Sequence, residues 1–120
     1  MPGDERMAVM AESAWQVFKL EELCEKVAGS QPRFHEFLRV PGLSGAVYRL
    51  PAGSRDMQAP HLEDEVYLVV EGQARLRIGE QQHRVWPGTI LFVRATEEHS
   101  FFDVEEDLTL LAFFGAAGPL

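Results

Sequence analysis

Glycine and proline divide the apolar residues of this chain into short runs. Arg33–Val40 is closed by Pro41-Gly42, Gly45–Leu50 by Pro51-Ala52-Gly53, and Val66–Glu71 by Gly72. Further on, Ala74–Ile78 ends at Gly79-Glu80 and His83–Trp86 at Pro87-Gly88, and then come Thr89–Val93, Ser100–Phe102 and Leu108–Phe114. Runs this short, spaced roughly 8 to 12 residues apart, suit strands rather than helices, and about eight or nine strands of a jelly-roll sandwich or barrel are expected. Ala74, Leu76 and Ile78 alternate with Arg75 and Arg77, the pattern of a strand with one buried and one wet face. An architecture in which strands alternate with helices is excluded, because only one helical stretch is present.

That stretch is Phe18–Ala28. Leu20, Leu23, Cys24 and Val27 share one face, Glu21, Glu22 and Glu25 lie early, Lys26 lies late, and Gly29 follows as a C-cap. The helix is expected to lie against the outside of the barrel or across its open end. Cys24 is the sole cysteine, which rules out an internal disulfide and any multi-cysteine metal or iron–sulfur site. Its place on the apolar face suits a small core thiol, and a reducing cytoplasm fits.

A chain of 120 residues makes one domain. Residues 1–13 have no periodicity and are read as a loose leader, leaving 14–120 as the folded unit. Nineteen acidic against eleven basic residues give a formal charge of -8, which repels a phosphate backbone and argues against nucleic acid as a partner. No apolar run approaches the ~20 residues that cross a bilayer, and the N-terminus lacks the basic-then-apolar order of a secretory signal.

Candidate chemistry concentrates just ahead of the Val66 run, in Ala59-Pro60-His61-Leu62-Glu63-Asp64-Glu65. His61 and Glu65 belong to residue types that bind divalent metals, and His99, delivered by the loop Arg94–Glu98, is the third candidate. In a straight strand, four steps of ~3.3 Å would hold His61 and Glu65 about 13 Å apart, so joint action on one ion requires a turn at Leu62-Glu63-Asp64. Two histidines and a carboxylate form a facial set with open positions, suited to non-haem iron and accepting manganese, nickel, cobalt or zinc. The same side chains can instead hydrogen-bond one another as a closed polar cluster inside the barrel. Val47, Leu68, Phe92, Phe101 and Phe113 are expected as an apolar wall, with Tyr48, Tyr67, Arg49 and Gln58 as polar groups able to orient a small molecule.

Gly53, His61, Glu65 and Gly72 resemble the first motif of the cupins, and Gly88, His99 and Asp103 resemble the second. In that family the first motif runs from a glycine through a His-x-His pair to a glutamate and, after six intervening residues, a glycine; Glu65 and Gly72 keep that spacing. The resemblance covers roughly residues 45–114, with the motifs at 53–72 and 88–103, and Pro60–Tyr67 is similar to small single-domain bacterial cupins of the cupin 2 kind. The chain departs from the pattern at Ala59, where the first histidine belongs. It departs again at Arg94, Thr96 and Asp103, which replace a proline, a glycine and an asparagine.

The resemblance implies an all-β double-stranded β-helix, a jelly-roll barrel, here with one short N-terminal helix. It also implies a divalent metal ion, iron, manganese, nickel or zinc, held in the barrel mouth by His61, Glu65 and His99. Gln58 is the nearest replacement for the ligand missing at position 59, provided that Pro60 bends the strand. Glu65 and Tyr67 are the candidate catalytic residues. Two functions follow: a metal-dependent enzyme, dioxygenase-like or isomerase-like, acting on a small oxygen-rich substrate, or a non-catalytic cupin that binds or senses a metal or metabolite. A homodimer is expected in either case, because the edge strand Arg33–Val40 needs cover and cupins of this kind are commonly dimers.

Overall fold

The computed structural model describes residues 14–56 and 61–117; the leader at 1–13 and Gln58 lie outside the described residues. Helix α1 spans Leu20–Lys26, and the strands are β1 (Arg33–Val40), β2 (Leu43–Leu50), β3 (Glu63–Ile78), β4 (Gln81–Val85), β5 (Ile90–Val93) and β6 (His99–Ala116). They form one antiparallel sheet in the order β1-β2-β6-β3-β4, with β5 paired to β3.

Two expected pairs of strands are single long strands. The runs on either side of Gly72 are both β3, and Ser100–Phe102 and Leu108–Phe114 are both β6. Gly72 bends β3 rather than ending it. Its φ is +92°, and a Cβ there would lie 2.2 Å from the Asp107 carbonyl oxygen, so only glycine fits against β6 at this point. The β3–β6 register shifts between Val69 and Arg75, around this bend. The bent ladder folds over on itself. Tyr67, in the first half of β3, packs edge-on against Phe101, whose ladder partner is Leu76 in the second half; the ring centroids are 5.2 Å apart.

The interior between the two halves holds Leu50, Val69, Leu76, Val85, Val93, Leu108 and Leu110, each at most 1% exposed. Each such side chain contributes about 1.5–3 kcal/mol by leaving water. Strand alternation sends Glu65, Tyr67 and Val69 inward and Val66 and Leu68 outward. The expected apolar wall is corrected by this parity. Phe101 is inside, whereas Val47 and Phe113 belong to the outer face, as does Phe92, which is 58% exposed.

Helix α1 covers part of that outer face, where Leu23 and Val27 bury Val47 together with Phe37 and Leu111. It is shorter than the apolar spacing predicts. Lys19 at its N-cap is extended and its side chain makes no capping hydrogen bond, and Phe18 leaves the helix to pack on Phe37 at 4.8 Å between ring centroids. Among the described residues, no helix is long and apolar enough to cross a membrane.

Candidate functional site

The inward face of β3 presents Glu65 and Tyr67, and the fold at Gly72 brings His99, the first residue of β6, in front of them. Glu65 is 2% exposed, Tyr67 0% and His99 5%. The Tyr67 hydroxyl is hydrogen-bonded to Glu65 Oε2, and its oxygen lies 3.0 Å from His99 Nε2. His99 Nε2 and Glu65 Oε2 are 3.4 Å apart. On the other side of the ring, His99 Nδ1 is 2.9 Å from the Glu97 carbonyl oxygen.

One of these contacts places a proton. A carbonyl oxygen only accepts, so Nδ1 of His99 carries hydrogen. The Tyr67 hydroxyl shares its proton between a carboxylate and an imidazole, and these bonds offset part of the cost of burying the two groups together. The His99 pKa follows the same logic. Burial opposes the imidazolium, but the hydrogen bond to Glu65, the Glu97 carbonyl and the charges of Glu65 and Asp56 outweigh it and hold the pKa above its ordinary 6.5.

Asp56 is the contributor that sequence reasoning missed. Its carboxylate accepts hydrogen bonds from the Tyr48 hydroxyl and the Phe101 N–H, both at 2.9 Å, and so ties the segment after β2 to the barrel interior. In the sequence it is one more acid in a polar connection, and nothing there separates it from a solvated one. Arg49 belongs to a different place. It donates to the Gly29 carbonyl behind α1 and to Asp107, on the outside of the fold.

His61 lies just ahead of β3. Its ring packs on Phe114, 4.8 Å between centroids, and its carbonyl accepts the Thr96 N–H at 2.7 Å. The turn between His61 and Glu65 is confined to Leu62, since β3 already begins at Glu63. The Ala95 N–H donates to Asp64 at 2.8 Å, so the segments around 61–64 and 94–97 are strapped together. Thr96 and, farther along in β6, Asp103 have left-handed backbones, at φ 65° and φ 51°. Aspartate and asparagine tolerate that region, whereas a β-branched threonine is strained in it.

As they are placed, the donors among the described residues are too few to enclose a metal. Among the described residues, no group of three or more His, Cys, Asp or Glu side chains lies together so as to hold an ion. The Tyr67 hydroxyl engages both Glu65 Oε2 and His99 Nε2. The structure thus brings together Glu65, Tyr67 and His99 of the expected set, sets His61 against Phe114, and leaves Gln58 outside the described residues.

Comparison with known proteins accords with this fold. The family described as the cupin domain matches residues 46–114. An uncharacterised protein of Streptomyces coelicolor is 37% identical over 99 residues, covering 82% of this chain and 94% of that protein. A double-stranded β-helix protein of Klebsiella pneumoniae superposes with a TM-score of 0.73 at 15% identity, over 87% of this chain and 92% of that one. A candidate mannose-6-phosphate isomerase of Ralstonia eutropha superposes with a TM-score of 0.66 at 22% identity, over 76% and 90%. Likeness at these structural identities concerns the fold alone.

Proposed function

This chain belongs to the cupin superfamily, and from that premise we propose that it is a small-molecule-binding cupin whose oxygen-rich ligand is held by Glu65, Tyr67 and His99. The supporting observation is the burial of three titratable side chains, none more than 5% exposed, in a mainly apolar interior of leucine, valine, alanine and phenylalanine. Apolar residues of similar volume would serve folding at least as well, since desolvating such polar groups costs several kcal/mol before their mutual bonds return it. A polar cluster kept under those conditions is a candidate site on physical grounds. Its donors and acceptors suit hydroxyl and carbonyl oxygens.

An isomerase-like reading is favoured by one further feature. Glu65 and His99 are linked through a single hydroxyl, so a proton can pass from one to the other across Tyr67. In that reading the pair exchanges a proton with a carbon next to a substrate carbonyl. The two readings separate by experiment. Thermal shifts of wild type and Glu65→Gln are measured with sugar phosphates, diketones, catechols, flavonols and thiols, and each stabilising compound is then followed for conversion. Stabilisation that Glu65→Gln loses, without conversion, supports binding alone; conversion as well supports the isomerase-like reading. No shift with any class in the wild type removes both.

The proposed macromolecular partner is a second copy of the chain. On the outer face of the sheet, Ile90 (70% exposed) and Phe92 (58%) lie opposite Leu68 and Val66. Edge strand β1 instead exposes Arg33, Glu36 and Arg39, charges that disfavour pairing along the edge.

A further inference from the structure

The ion that cupin membership suggests and the triad compete for the same atoms. Donors around a small divalent ion lie ~2.0–2.2 Å from it, so two donors 3.4 Å apart subtend roughly the tetrahedral angle at a shared ion. Glu65 Oε2 and His99 Nε2 have that separation. His99 is also oriented as a ligating histidine is, with Nδ1 on a backbone carbonyl and Nε2 turned towards the carboxylate. What stands between them is the Tyr67 hydroxyl.

Nε2 of an imidazole has one in-plane position, either a lone pair or an N–H. The Tyr67 oxygen, 3.0 Å away, lies nearer to that position than Glu65 Oε2 at 3.4 Å. We propose that the Tyr67 hydroxyl stands in for the metal ion, so that this chain keeps the interior geometry of a cupin barrel with a hydrogen-bonded phenol where an ion would sit. The sequence supplies a reason. With Ala59 in place of a histidine the remaining donors make a weak site, and the phenol satisfies both buried groups without adding charge. This inference goes beyond the proposed ligand and does not depend on it, because metal content is read without any ligand present.

The test is metal retention by the full chain. Wild type, Tyr67→Phe, His99→Ala and the double variant are incubated with cobalt(II), freed of loose ion by gel filtration, and assayed for cobalt by elemental analysis and by visible absorbance. Wild type is expected to stay at background. Tyr67→Phe, which leaves Glu65 and His99 facing each other without the bridge, is expected to retain cobalt clearly above the wild-type background, and the double variant to lose it. About one cobalt per wild-type chain, lost in His99→Ala, overturns the proposal, and so does a folded Tyr67→Phe that retains none. If Tyr67→Phe does not fold, the wild type decides alone through the imidazole nitrogen resonances of His99. Resonances unmoved by zinc support the proposal, and a zinc-dependent shift at Nε2 overturns it.

Discussion

Thr96 and His99 lie three residues apart and show two ways in which a single residue carries cost near the site. Thr96 keeps a left-handed backbone, φ 65°, where the cupin pattern has glycine. A β-branched side chain in that region costs on the order of 1–2 kcal/mol, partly offset in a glycine variant by the greater freedom of its unfolded chain. Thr96→Gly is therefore expected to raise stability by roughly 0.5–1 kcal/mol in urea unfolding, with Thr96→Asn intermediate. A loss of stability in both would show that the strain reading is wrong. His99 gives the pH dependence. Its folded pKa lies above the ordinary 6.5, so its contribution to stability is fully present below about pH 6.5 and fades as pH rises through the raised folded value. Wild type should lose stability over that interval relative to His99→Gln, as urea midpoints measured from pH 6 to pH 9 would show. Parallel curves would remove the titration from the account.

At the scale of elements, the bend at Gly72 does most to make the site, since it folds the β3–β6 ladder so that His99 meets Tyr67. Gly72→Ala places a Cβ 2.2 Å from the Asp107 carbonyl oxygen, on a backbone already at φ +92°. Strain of both kinds predicts a loss of about 3 kcal/mol or more, read as a lower urea midpoint together with lost Tyr67–His99 contacts in nuclear Overhauser spectra. A variant as stable as wild type would mean that the bend can be made elsewhere. The strand limits show what could be read from the chain. β1 was legible to the residue, because Pro32 and Pro41-Gly42 bracket it. The continuity of β3 and β6 was not, because a glycine that bends a strand against its neighbour looks the same in sequence as one that ends it. Phe92 was misplaced for a related reason: an apolar run such as Thr89–Val93 has no alternation to say which side faces inward.

At the scale of the whole molecule, an apolar strip meets a strongly acidic surface. Ile90 and Phe92 remain exposed on a chain of net charge -8, and pairing the strips of two copies about a twofold axis would cover them. Sedimentation equilibrium is expected to return twice the chain mass for wild type and a monomer for Phe92→Glu. A monomeric wild type would leave the strip without this partner. The sequence by itself determined the all-β class, the helix around Leu20–Lys26, the candidate carboxylate at Glu65 and the candidate imidazole at His99. These follow from periodicity, turn residues and side-chain chemistry, all of which act over a few neighbouring positions. Only the tertiary structure decided that Tyr67 stands between those two groups, that His61 rests on Phe114, and that Asp56 reaches the interior. Those placements depend on ladder register and on how one half of a bent sheet meets the other, and long-range packing sets both.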